Sequence, residues 1–206
     1  MLGNLNQSVL NINPLVAVVD DFLSDAECNA LISLGAGRLA RATVHRAAGH
    51  GQVSQRRTND HCALPPETYP QVLPVLMKLG LTLRIPVQHA ECPMLLHYTE
   101  AQEFKPHSDG IPLDADPERL ARFEKTGGQR LFSTLIYLNE VEAGGGTGFP
   151  ELDLSVSPKP GRLLIFANTM AGSRAVANLS VHAGEPVTAG EKWAVITWWR
   201  EQPFAG

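Results

Sequence analysis

His107-Ser108-Asp109 sets an imidazole and a carboxylate two residues apart. Side chains alternate along an extended strand with a period of two, so both groups project from one face and can reach one metal ion. A distant histidine, His182, supplies the third donor of a 2-His-1-carboxylate set. Such a set leaves about three open positions on an octahedral iron(II), room for a bidentate co-substrate and dioxygen. Ten residues after His182 stands Lys192. A lysine turned into a core requires an anion, because an unpaired buried ammonium is costly and loses its proton. His-x-Asp is a short pattern that recurs by chance, so its weight must come from its surroundings.

Those surroundings suit a cavity mouth. Pro106 and Gly110 bracket the ligand pair with an extended-geometry residue on one side and a turn former on the other. Gly184-Glu185-Pro186 and Gly190-Glu191 flank the segment between His182 and Lys192, which predicts two strands folding past each other. In the second strand Lys192, Ala194, Ile196 and Trp198 share a face. Parity leaves two arrangements open, one with Lys192 inward and one with Trp193 inward. The remaining histidines, His45, His50, His61, His89 and His97, read as ordinary surface or hydrogen-bonded side chains.

The elements that must hold these groups follow from periodicity and punctuation. Residues 15–19 are apolar and β-branched and predict a strand. Ser24 and Glu27 form a capping box, Ala26, Ala30, Leu31 and Leu34 make a helical stripe, and Gly35 closes it. Residues 47–54 read as a surface loop, followed by Arg56 and Arg57, which are either solvated or in reach of a ligand, and the whole stretch 47–59 is expected to line the substrate entrance. Pro65-Pro66-Glu67 opens a second helical stretch to about Leu83, with a kink expected at Pro74. From residue 91 onward, segments 91–109, 129–138, 161–167 and 176–201 are β-branched and aromatic, separated by Gly and Pro. Residues 112–126 look like an insertion carrying a short helix.

Helices followed by a β-core predict a mainly β, α+β protein with a double-sheet jelly roll backed by helices. With 206 residues the chain suits a single domain over 1–206, with 1–90 as helical support and substrate loop and 91–206 as core. Charged residues at 18% and hydrophobic ones at 44% exclude a disordered or membrane-embedded composition. A net charge of −4 and only one short basic run, Gln55-Arg56-Arg57, give nucleic acid no electrostatic footprint. Three cysteines without CxxC spacing suit neither a disulfide framework nor a zinc site. The absence of a basic n-region and of a long apolar run leads us to expect a cytoplasmic protein that no membrane holds.

Four separated motifs occur in order: HYTEAQEFKPHSD (97–109), GGQRLFSTLIYLNEVEAGGGTGFP (127–150), LSVSPKPGRLLIF (154–166) and VHAGEPVTAGEKW (181–193). Together they resemble the iron(II) and 2-oxoglutarate dependent oxygenases of the prolyl 4-hydroxylase type, across roughly the C-terminal half. The resemblance implies His107, Asp109 and His182 as iron ligands and catalytic residues, and Lys192 with Tyr98 as partners of the 2-oxoglutarate carboxylate. It implies Ser133 as a further hydroxyl for that carboxylate, and Arg57, Arg130 and Trp198 as substrate-groove residues. It further implies dioxygen as reactant, ascorbate as reductant, succinate and carbon dioxide as products, and hydroxylation of a prolyl residue in a peptide or protein. A free amino acid or small metabolite is the alternative substrate, and a non-catalytic metal- or peptide-binding jelly roll is the alternative class. Ala101, Phe104 and Glu185 depart from the family pattern, where glycine, tyrosine and cysteine are frequent.

Overall fold

The computed structural model describes residues 6–45, 51–53, 55–114 and 116–206. Two antiparallel sheets face each other in the described residues. The larger has eight strands in the order Asn6–Ile12, Leu15–Asp20, Leu163–Ala167, Arg130–Tyr137, Lys192–Arg200, Met94–Tyr98, Asp60–Ala63 and Ala40–Arg41. The smaller has four, Leu154–Val156, Thr147–Phe149, His182–Gly184 and Phe104–His107. This is the predicted jelly-roll core, and the division at residue 90 must be redrawn: four strands of the large sheet precede residue 91.

The central strands of the large sheet, Leu15–Asp20, Leu163–Ala167, Arg130–Tyr137 and Lys192–Arg200, are buried on both faces, which explains their near-continuous apolar sequences. One face packs the Asp25–Gly35 and Leu73–Leu83 helices through Leu31, Leu76, Leu79, Val195 and Trp199. The other face meets the small sheet through Leu96, Leu135, Phe149, Phe166 and Ile196, and the cavity opens between them.

The first helix starts as its sequence dictates. Glu27 N–H donates to Ser24 Oγ at 3.3 Å, and Ser24 N–H donates to the Glu27 carboxylate at 2.8 Å. Gly35 does not serve as a left-handed cap. It is the last helical residue, and a Cβ there would lie 2.2 Å from Leu95 Cδ2 and 2.7 Å from Cys62 Sγ. The helix therefore needs glycine for close approach to the sheet.

The second helix is shorter than expected. Residues 65–69 form turns, Pro70–Val72 is a 3-10 turn, and Leu73–Leu83 is the α-helix. Pro74 falls in its first turn, where the missing N–H has no partner to lose, so it begins the helix and kinks nothing. Strands Thr43–His45 and Gly51–Val53 pair as a two-stranded ribbon where a loop was expected, and residues 46–50 and 54 lie outside the described residues. No described helix is long and apolar enough to cross a membrane.

Candidate metal and co-substrate site

His107 ends one strand of the small sheet and His182 begins its neighbour, and the two are direct register partners. Asp109 follows two residues after His107, buried at 7% exposure. The donor atoms of the three side chains lie within 4.8 Å of one another. His107 Nε2 is 3.7 Å from Asp109 Oδ1, and His182 Nε2 is 3.5 Å from Asp109 Oδ2. Each Nδ1 is 2.9–3.0 Å from a backbone carbonyl two residues earlier, Lys105 O for His107 and Ser180 O for His182. A carbonyl only accepts, so Nδ1 carries the proton and each Nε2 keeps its lone pair for a metal.

Electrostatics favours the same ligand state. Burial, helped by the neighbouring His182, pushes His107 down to about 3, so its imidazole is neutral. Burial alone would raise Asp109. His182, His107, Arg130 and the Ser133 hydroxyl outweigh it and hold the carboxyl well below the usual range. Neutral imidazoles and a carboxylate are what a divalent metal requires. Aromatic rings lock the imidazoles: Phe104 stacks on His107 at 3.5 Å, and Phe166 packs on His182 at 4.4 Å.

Lys192 and Tyr98 line the same cavity as the three ligands, together with Arg57 and Trp198. The parity question closes here. Lys192 faces the cavity, and Trp193 is buried too, on the opposite face against the helices. Lys192 is 2% exposed, its Nζ donates only to Gly146 O at 3.4 Å, and no carboxylate among the described residues lies within ion-pair distance. Burial pulls its pKa down to about 7, against a weaker upward pull from Glu185. Tyr98, also buried, is pushed up to about 12 and stays a hydroxyl donor. A buried ammonium and a phenol with no carboxylate in ion-pair distance among the described residues fit a carboxylate guest, and the donor set beside them fits iron(II).

The other expected residues separate. Arg57 lines the cavity, its guanidinium 4.9 Å over the Phe104 ring and its Nε donating to Asn59 Oδ1 at 3.0 Å. Trp198 lines it as well, and its buried indole N–H has no acceptor among the described residues. Arg130 is not part of the lining. It is held by Glu91 through bonds of 2.6 and 2.8 Å and lies 4.1 Å over the Trp198 ring. Ser133 does not face Lys192: its hydroxyl donates to Asp109 Oδ2 at 2.7 Å. The insertion contributes no described side chain to the cavity, and its helix, Pro117–Lys125, buries none.

Some contributors had no signal in the motifs. Glu91, a lone acid before the β-core, anchors both Arg130 and Arg200. Glu185, the departure from cysteine, lays its carboxylate over Gly146 and Gly148 and accepts from Ser155 Oγ at 2.9 Å. Cβ atoms at those glycines would sit 2.3 and 2.6 Å from that carboxylate, which accounts for part of the glycine run 144–148.

Residues 93–200 match the family model of the 2OG-Fe(II) oxygenase superfamily. Probable prolyl 4-hydroxylase 7 of Arabidopsis thaliana is 30% identical over 214 residues, which cover 95% of this chain and 65% of that protein. Prolyl 4-hydroxylase 1 of the same plant is also 30% identical, over 98% of this chain and 74% of its own length. Among solved structures, the viral collagen prolyl hydroxylase of Paramecium Bursaria Chlorella virus-1, in its 2OG complex, superposes with a TM-score of 0.70 at 26% identity, covering 90% of this chain and 94% of that one. The family match spans all three candidate ligands, Tyr98 and Lys192, and by it this chain belongs to the 2OG-Fe(II) oxygenase superfamily.

Proposed function

We propose that this protein is an iron(II)- and 2-oxoglutarate-dependent hydroxylase acting on a prolyl residue of a peptide or protein, built as one domain over 1–206. The observation that carries the reading is one cavity joining a His107-Asp109-His182 donor set to the buried Lys192 ammonium, which has no carboxylate in ion-pair distance among the described residues. His107, Asp109 and His182 would hold iron, and Lys192 and Tyr98 would hold the far carboxylate of 2-oxoglutarate. With dioxygen, bound iron(II) and 2-oxoglutarate would supply the oxidant for a C–H bond, with release of succinate and carbon dioxide.

The chain's own residues do the rest. Lys192 pairs an otherwise uncompensated charge, and Tyr98 donates its hydroxyl proton to the same carboxylate. The apolar walls of Leu96, Leu135 and Ile196 exclude water from the reacting centre. Arg57 and Trp198 offer hydrogen-bond donors to peptide carbonyls, and the Glu91–Arg130 pair stiffens the Trp198 ring by stacking on it. A peptide substrate agrees with the printed names of the plant and viral relatives.

The test is mass spectrometry of proline-containing peptides incubated with iron-loaded protein, 2-oxoglutarate and labelled dioxygen. The reading requires one labelled oxygen on a prolyl ring. Hydroxylation of free proline or another small molecule, with peptides untouched, would move the assignment to a metabolite hydroxylase.

A further inference from the structure

Asp109 is the ligand with the most freedom to err. A carboxylate can bind a metal through one oxygen or both, and the second mode would occupy a position that the co-substrate or dioxygen needs. The structure distinguishes its two oxygens. Oδ2 accepts the Ser133 hydroxyl at 2.7 Å, whereas Oδ1 accepts no hydrogen bond among the described residues.

The hydroxyl is itself directed. Ser133 has one proton, and the short contact to a charged acceptor claims it. Asn168 Nδ2 donates into Ser133 Oγ at 2.9 Å. The backbone of Asn168 is anchored as well, its N–H on Leu131 O at 2.8 Å and its carbonyl under Ala177 N–H at 3.0 Å. Ser133 and Asn168 are both 0% exposed, so no water competes for these bonds. The main chain beyond Asp109 is clamped independently: the Gln129 carboxamide bonds both the N–H and the carbonyl of Ile111, each at 2.8 Å. The side chain of Asp109 and the main chain two residues on are therefore held separately, by Ser133 within the Arg130–Tyr137 strand and by Gln129 just before it.

We propose that Ser133, oriented by Asn168, is a positioning residue that would hold Asp109 in a one-oxygen binding mode by tying Oδ2. The proposal rests on the metal-site reading. It assigns Ser133 a role toward the metal ligand in place of one toward the co-substrate, and makes Asn168 the outer member of the relay. Removing such an outer partner weakens metal affinity about 10–100-fold in comparable sites.

The experiment is titration of the metal-free protein with Co(II), read by its d–d absorption, for wild type, Ser133→Ala, Ser133→Thr, Asn168→Ala and His107→Ala, with circular dichroism as the folding control. Ser133→Ala should bind at least about tenfold more weakly with an altered spectrum, Ser133→Thr should restore both, and Asn168→Ala should fall between. Wild-type affinity and spectrum in Ser133→Ala overturn the proposal. Equal loss in Ser133→Thr overturns it too, since packing and not the hydroxyl would then be responsible. Wild-type behaviour of Asn168→Ala removes Asn168 from the relay. Failure of wild type to bind Co(II), or wild-type binding by His107→Ala, instead overturns the metal-site reading beneath it.

Discussion

Lys192 and Tyr98 are direct partners across one antiparallel rung, and both turn into the cavity lined by the three candidate metal ligands. The ammonium is 5.1 Å from the Tyr98 ring and 5.2 Å from the Tyr137 ring, a cation between two aromatic walls with no carboxylate in ion-pair distance among the described residues. Replacing it should separate function from stability. Lys192→Met should weaken 2-oxoglutarate binding at least 100-fold, the loss of about one charge-assisted contact of 3 kcal/mol. The same variant should unfold at a higher temperature than wild type without co-substrate, because an uncompensated buried charge is replaced by a thioether of similar shape. Calorimetric melting with and without 2-oxoglutarate measures both effects.

Proton linkage follows from the same residue. In the free protein Lys192 titrates near 7, and a bound carboxylate must raise that value. Below pH 7 the ammonium is already present and this group leaves affinity flat. Above it, each binding event takes up a proton, so affinity should fall about tenfold per pH unit. Isothermal titration in buffers of different ionisation heat should show uptake approaching one proton near pH 8. For the unliganded fold the sign is opposite: a lysine lowered to about 7 from 10.5 destabilises it, and stability should climb as pH rises between those values.

Ala101 sits at φ +63°, in the left-handed region that disfavours a Cβ. Ala101→Gly should therefore stabilise the protein by about 0.5–1 kcal/mol, the relief of strain exceeding the added unfolded-state entropy. Denaturant midpoints at unchanged slope would register it. Since Ala101 N–H donates to Val187 O, the gain should come without loss of that contact.

Arg57 lines the same cavity as Tyr98 and Lys192, and we propose that it serves the peptide substrate and not the co-substrate. Arg57→Ala should raise KM for a peptide substrate about tenfold and leave KM for 2-oxoglutarate within about twofold. Equal rises in both constants would place its role in the shared cavity.

How far the sequence disclosed this arrangement depends on the range of the interactions involved. His107 and Asp109 were legible as a pair because their spacing is local, although the strand stops at His107 and Asp109 lies in the bend beyond it, and the capping box at Ser24 and Glu27 was legible because it too is local. Lys192 was half legible: alternation names its face but not which face is inside, and here both are buried. Ser133 was misplaced because its partner is set by sheet register, with Ser133 opposite Trp198 and its hydroxyl reaching Asp109. The edge strand Asn6–Ile12 gave little signal, since exposure on both faces leaves no apolar alternation to read. Pro74 misled because the same residue that breaks a helix interior is at home in a first turn.

The most direct test of the whole account is stoichiometric turnover by the purified protein supplied with iron(II), 2-oxoglutarate, dioxygen and a proline-containing peptide. The account predicts succinate and hydroxyproline in equal amounts, and neither product from His107→Ala or Asp109→Ala. Hydroxyproline formed by those variants at the wild-type rate, or a wild-type protein that binds iron and 2-oxoglutarate yet yields no succinate with any substrate, would contradict it.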